Sequence, residues 1–112
     1  MIRPEQVFLA VKPIDIRMGM DGLSLLVQHS LGSAPGSGHA FAFRNRRGNR
    51  MKLLIWDGTG VWLCQRRLHH GKFTWPSAND TLWQITAEQW QWLVMGVDWQ
   101  RLSARPDTAW ML

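Results

Sequence analysis

The stretch from Ala40 to Leu68 constrains the fold more than any other part of the chain, because it holds three apolar-rich runs separated by two turn signals. Ala40–Arg44 sets Phe41 and Phe43 on one face. Arg50–Trp56 alternates Met51, Leu53 and Ile55 against Lys52, Leu54 and Trp56, and Val61–Leu68 follows Asp57-Gly58-Thr59-Gly60. A period of two is the period of a strand. Asp-Gly between two such runs is a strong hairpin signal. The connection Asn45-Arg46-Arg47-Gly48-Asn49 combines residues that tolerate turn conformations and bond their own backbone. The segment is therefore predicted to be a three-strand antiparallel meander.

The flanks supply the rest of the domain. Val7–Val11 reads as a short buried strand ended by Pro13. A helix follows, with Asp15 or Asp21 as its cap. Ile16, Met20, Leu23, Leu26, Val27 and Leu31 form its apolar face, and Gly32 is its stop. Residues 32–39 are predicted to be a flexible loop, since Gly32-Ser33-Ala34-Pro35-Gly36-Ser37-Gly38 has no pattern of its own. Phe73–Trp75 is read as a further short strand. Thr86 with Gln89 three residues on is a capping box, and Trp90, Leu93, Val94 and Val97 then recur at the spacing of a core-facing helical stripe. Gly96 and Asp98 mark its end, Trp99–Leu102 reads as one more turn, and 103–112 as a tail. With 112 residues and 46% apolar content, the expectation is one α+β domain over residues 1–112, its antiparallel sheet packed on one side by two main helices.

The charge is not spread evenly. The chain has 13 Lys and Arg against 8 Asp and Glu, a net charge of +5. Arg44, Arg46, Arg47, Arg50, Lys52, Arg66, Arg67 and Lys72 fall within residues 44–72, where Asp57 is the lone acid. That segment carries +7 and the remainder −2. In a meander the end of the first strand, the start of the second and the end of the third meet at one edge. The cations should therefore converge at one end of the sheet, joined by His69 and His70, with Asp57 at the other. A solvated edge that merely resists aggregation needs one or two charges; eight suit phosphate binding by charge neutralisation and counterion release. Asn45 sits among them, able to bond a base edge or to shape the turn, and the turn is the preferred role. Trp56, Trp62 and Trp75 lie on or beside the meander, where they either stack on unpaired bases or fill the core; the core is preferred, because a small domain uses its large aromatics to bury area. Trp92 falls off the apolar stripe and is assigned to a partner surface.

Other chemistry finds little support. With no Tyr, a tyrosine nucleophile is excluded, and the single Cys64 excludes an internal disulfide and a cysteine zinc site. Cys64 lies in a strand pattern and reads as a small buried hydrophobe. Adjacent His69 and His70 point to opposite faces of an extended chain. Asp15, Asp21, Asp57, Glu88 and Asp98 are scattered, whereas a two-metal nuclease needs converging carboxylates. No catalytic residue, metal or cofactor is expected. Neither a signal peptide nor a membrane span is apparent, so the expectation is a cytoplasmic protein with no membrane partner.

Three motifs, in order, resemble those of the accessory transposition proteins called TnpB in the insertion sequence 66 family, which differ in kind from the RNA-guided nucleases of the same name. Phe41-Ala-Phe-Arg-Asn-Arg-Arg-Gly-Asn-Arg-Met-Lys-Leu-Leu-Ile-Trp-Asp-Gly58 is similar to the family's central motif. Arg67-Leu68 with Gly71-Lys-Phe-Thr-Trp-Pro76 resembles its downstream motif. Pro13-Ile-Asp-Ile-Arg-Met-Gly-Met-Asp-Gly-Leu23 resembles the upstream one. His69-His70 stands where the family commonly has a charged pair. The resemblance implies a small protein encoded beside a large transposase and needed for movement of the element. The resulting expectation is a non-catalytic accessory factor that binds element-end DNA through Arg44, Asn45, Arg46, Arg47, Arg50, Lys52, Arg66, Arg67 and Lys72. The alternative is an interaction module in which Asp15, Arg17, Asp21 and Trp92 dock on the transposase and DNA plays no direct part. A homo-oligomer stays open on either account.

Overall fold

A computed structural model of the protein describes residues 4–31, 35–77 and 81–100. The meander forms as expected: β2 (His39–Arg44), β3 (Arg50–Trp56) and β4 (Val61–Arg67) pair antiparallel in succession. Arg44 stands opposite Met51 and Trp56 opposite Val61, so both turns have the predicted bounds. The preceding strand β1 (Gln6–Ala10) pairs with β2, but in parallel, with Val7 opposite Ala40 and Leu9 opposite Ala42. A strand β5 (Leu82–Ile85), which the sequence reading lacked, pairs antiparallel with β1 on its other side. The strand order is β4-β3-β2-β1-β5. The sheet is thus mixed, not wholly antiparallel. A parallel neighbour needs a crossover connection, and α1 (Met20–Leu31), lying between β1 and β2 in the chain, provides it.

The two helices cover opposite faces, which corrects the expectation that both pack on one side. Alternation along the strands separates two core clusters. Leu23 and Val27 of α1 pack with Phe41, Phe43 and Leu54. Leu93 of α2 (Ala87–Val94) packs with Val7, Leu9, Ala40, Ala42, Leu53 and Ile55 on the other face, joined by Phe73 and Trp99. The sequence carried a sign of this. β2 is buried at four consecutive positions and β3 at five, and near-continuous apolar runs belong to strands covered on both faces.

Local signals explain the ends of the helices. Neither Asp15 nor Asp21 caps α1. Gly19 precedes it, its carbonyl accepting from the Leu23 amide at 3.0 Å, while Asp21 sits in the first turn, where the helix dipole favours an acid. Thr86 caps α2 with the reciprocal bonds of a capping box. At the other end Gly96 adopts φ +78°, the Gly96 amide donates to Leu93 O and the Val97 amide to Trp92 O. That pair of bonds is the Schellman arrangement. Of the predicted stripe, Leu93 is fully buried, while Trp90, Val94 and Val97 are half-buried. Trp92 is half-buried too and packs against the same cluster, so it is less exposed than its place off the stripe suggested.

Two further expectations change. Phe73–Trp75 is not a strand; it crosses the α2 face as an irregular segment, with Phe73 in the core. Cys64 is exposed, not buried. It stands opposite Leu53 on the edge strand β4. Residues 32–34 of the predicted loop, Leu102 and the tail 103–112 lie outside the described residues.

Candidate nucleic-acid interface

The turn at residues 45–49 organises the basic end of the sheet. Asn45 Oδ1 accepts from the amides of Gly48 (2.9 Å) and Arg50 (3.0 Å), and Asn45 Nδ2 donates to Asn49 Oδ1 (2.9 Å). Asn45 therefore shapes the turn, with its side-chain oxygen engaged twice over. Gly48 takes φ +79°, a left-handed conformation that glycine adopts without penalty. The carbonyls of Asn49 and Gly48 then accept from the amides of Leu68 (2.9 Å) and Phe73 (2.8 Å). These bonds fold the chain after β4 back over the turn and bring Lys72 against Gly48.

The cations do gather. Arg50 stands directly opposite Arg67, and Met51 opposite Arg66. Arg50, Arg66 and Arg67 border one shallow cleft with Ile16, Met51 and Gln65. Arg44, Arg46, Arg47 and Lys72 line another, of about 430 Å³. Lys12 joins them there, a residue the sequence reading missed. It follows β1, and only the parallel pairing of β1 with β2 carries it to the same end as Arg44; no local signal could have placed it. Arg46, Arg47, Arg50, Arg66, Arg67, Lys72 and Lys12 are exposed.

Two of the predicted phosphate contacts serve the fold instead. Lys52 is only 6% exposed, and its Nζ donates to Met18 O at 2.7 Å, tying the segment before α1 to the sheet. Arg44 is half-buried; its Nη2 donates to Val11 O (3.2 Å), its Nε has no partner among the described residues, and burial pushes its pKa down. Arg66 is exposed, but its Nε donates to Val94 O at the end of α2. A cation at a helix C-terminus complements the dipole.

The acids are occupied elsewhere. Asp15 and Arg17 pair with each other at 2.7 Å, both exposed, and the Arg17 hydrogen bonds hold the Asp15 carboxyl down to about 2. Asp57 lies at the opposite end of the sheet, as expected. Its Oδ1 accepts from the Thr59 and Gly60 amides and the Thr59 hydroxyl, and its Oδ2 from Trp62 Nε1 (2.8 Å). Those donors, the Thr59 amide foremost, lower its pKa to about 2. Among the described residues no three His, Cys, Asp or Glu side chains gather as a metal site, and no helix is long and apolar enough to cross a membrane.

Comparison with known proteins gives a consistent setting. The family described as IS66 Orf2 like protein matches residues 5–104. A protein of Sinorhizobium fredii (strain NBRC 101917 / NGR234) named y4jC is 37% identical over 101 residues, covering 90% of this chain and 86% of that protein. A second from the same strain, y4hO, is 36% identical over 105 residues, covering 94% and 88%. No solved structure matches.

Proposed function

The chain belongs to the IS66 Orf2-like family, and from that premise we propose that it acts in transposition as a non-catalytic accessory protein that binds DNA through the basic end of its sheet. The family makes it a protein associated with an insertion sequence. The observation that supports DNA as the ligand is the unneutralised charge at that end. Like charges directly opposite on paired strands destabilise a sheet, yet Arg50 faces Arg67. Among the described residues the one salt bridge is Arg17–Asp15, so no carboxylate offsets Arg46, Arg47, Arg50, Arg67 or Lys72. A polyanion would offset all of them, with release of its own counterions.

The arrangement holds the duplex by its backbone and reads little sequence. Four to six phosphate contacts give a slope of log K against log salt of roughly −4 to −5 and micromolar or weaker affinity at physiological salt. Element-end and random duplexes should bind alike. Arg47→Ala should weaken both equally and reduce the slope by about 1. The test is a salt titration of wild type and Arg47→Ala on both duplexes. A flat salt dependence, or no binding to either, would leave docking on the large transposase as the function. The protein performs no strand cleavage on this reading, since Asp57 is committed to a turn and Asp15 to Arg17. Metal-dependent nicking by the pure protein, abolished in Asp57→Ala, would reverse that conclusion.

A further inference from the structure

The cleft of about 430 Å³ beside the 45–49 turn differs in kind from the rest of the basic end. Its volume lies within the roughly 300–1,000 Å³ of small-ligand sites. Its exposed cations are Lys12, Arg46, Arg47 and Lys72, and among the described residues no carboxylate lines it. Trp75 and Pro13 belong to the same lining. Asp15, which borders the neighbouring cleft with Arg46 and Arg47, is held by Arg17. Trp75 is half-buried, and its Nε1 donates to Ala10 O at 2.7 Å, which fixes the indole before any ligand arrives. A preset ring loses little rotamer freedom on stacking. Cations lining one cleft with a fixed aromatic ring form the recurring platform for unpaired nucleotides, the phosphate held by the cations and the base by the ring. Among the described residues, none lining the Arg50–Arg67 surface is aromatic, so it suits backbone contact alone.

We propose that this cleft holds one unpaired nucleotide of a DNA strand, its base against Trp75 and Pro13 and its phosphate among Lys12, Arg46, Arg47 and Lys72, so that the protein prefers DNA with a single-stranded end over blunt duplex. The inference rests on the DNA-binding reading and adds to it the state of the DNA recognised.

The experiment measures binding of a short labelled duplex, blunt or carrying a single-stranded overhang, at one salt concentration. Wild type should bind the overhang DNA about tenfold more tightly, as expected for one stacked base. Lys12→Ala combined with Lys72→Ala changes only exposed side chains; it should abolish the preference. Arg67→Ala should weaken both DNAs equally and preserve it. A nucleoside monophosphate should displace the overhang DNA at concentrations where inorganic phosphate does not. Equal wild-type affinity for the two DNAs overturns the proposal while leaving duplex binding intact, and so does a preference that survives in the double variant. Equal potency of phosphate and nucleotide reduces the cleft to an anion site and overturns the stacking. No binding to either DNA overturns the DNA reading itself.

Discussion

At the scale of single residues, charge type did not decide role; the environment of each side chain did. Lys52 and Arg67 are both cations on neighbouring strands, yet Lys52 is buried under the segment before α1 and Arg67 is open to solvent. Lys52→Met should therefore lower the unfolding free energy by about 1 kcal/mol for the lost bond to Met18 O, and leave the salt slope of DNA binding unchanged. A slope reduced by one full contact would return Lys52 to the interface. Asp15 and Asp57 behave alike in acid. Both carboxyls fall from 3.8 to about 2 in the folded chain, so their contribution is complete above about 4 and is lost as pH drops through about 2. In Asp57→Asn one carbonyl oxygen still accepts from Thr59 and Gly60, so the turn persists without the titration. Thermal melts between those pH values should show a shallower decline in Asp57→Asn, and shallower still when Asp15→Asn is added.

At the scale of elements, the short helix α2 depends on its ends. Eight residues are marginal alone, so the reciprocal Thr86–Gln89 bonds and the Gly96 turn carry weight beyond their number. Thr86→Ala should cost about 1 kcal/mol, read from chemical denaturation. Gly96→Ala forces a Cβ into the left-handed region and to within 3.2 Å of Leu68 Cδ1; a loss of about 1–2 kcal/mol is expected. The β3–β4 ladder offers the opposite sign. Arg67→Glu turns a like-charge pair with Arg50 into an opposite one, which should raise stability by a few tenths of a kcal/mol to about 1 while weakening DNA binding. A variant no more stable than wild type would show that the two arginines do not interact.

For the whole molecule, one sheet serves two cores. Leu23 fills the α1 side and Leu93 the α2 side, both with no exposure. Either truncation to Ala should cost about 2–5 kcal/mol. Because β2 and β3 line both cores, the loss on either face should propagate through the shared strands. Unfolding of each variant should then remain one transition, coincident by far-UV and near-UV circular dichroism. Separate transitions would mean that the faces fold independently.

The sequence by itself determined what depends on near neighbours in the chain. The two turns, the register of the meander, the capping box and the gathering of Arg44, Arg50 and Arg67 at one end follow from turn chemistry, period-two alternation and short connections. Tertiary structure decided whatever depends on distant segments. Lys12 reaches the basic cleft because β1 runs parallel to β2. Lys52 leaves the surface because the chain before α1 lies over it, and Cys64 stays exposed on β4, a strand at the sheet's edge. β5 exists because β1 offers it an open edge; four residues with one buried position show too little alternation to declare a strand. Alternation states that a strand has two faces. The apolar runs of β2 and β3 mark strands covered on both faces; which element covers each face depends on contacts whose partners lie tens of residues away, and no local pattern encodes it.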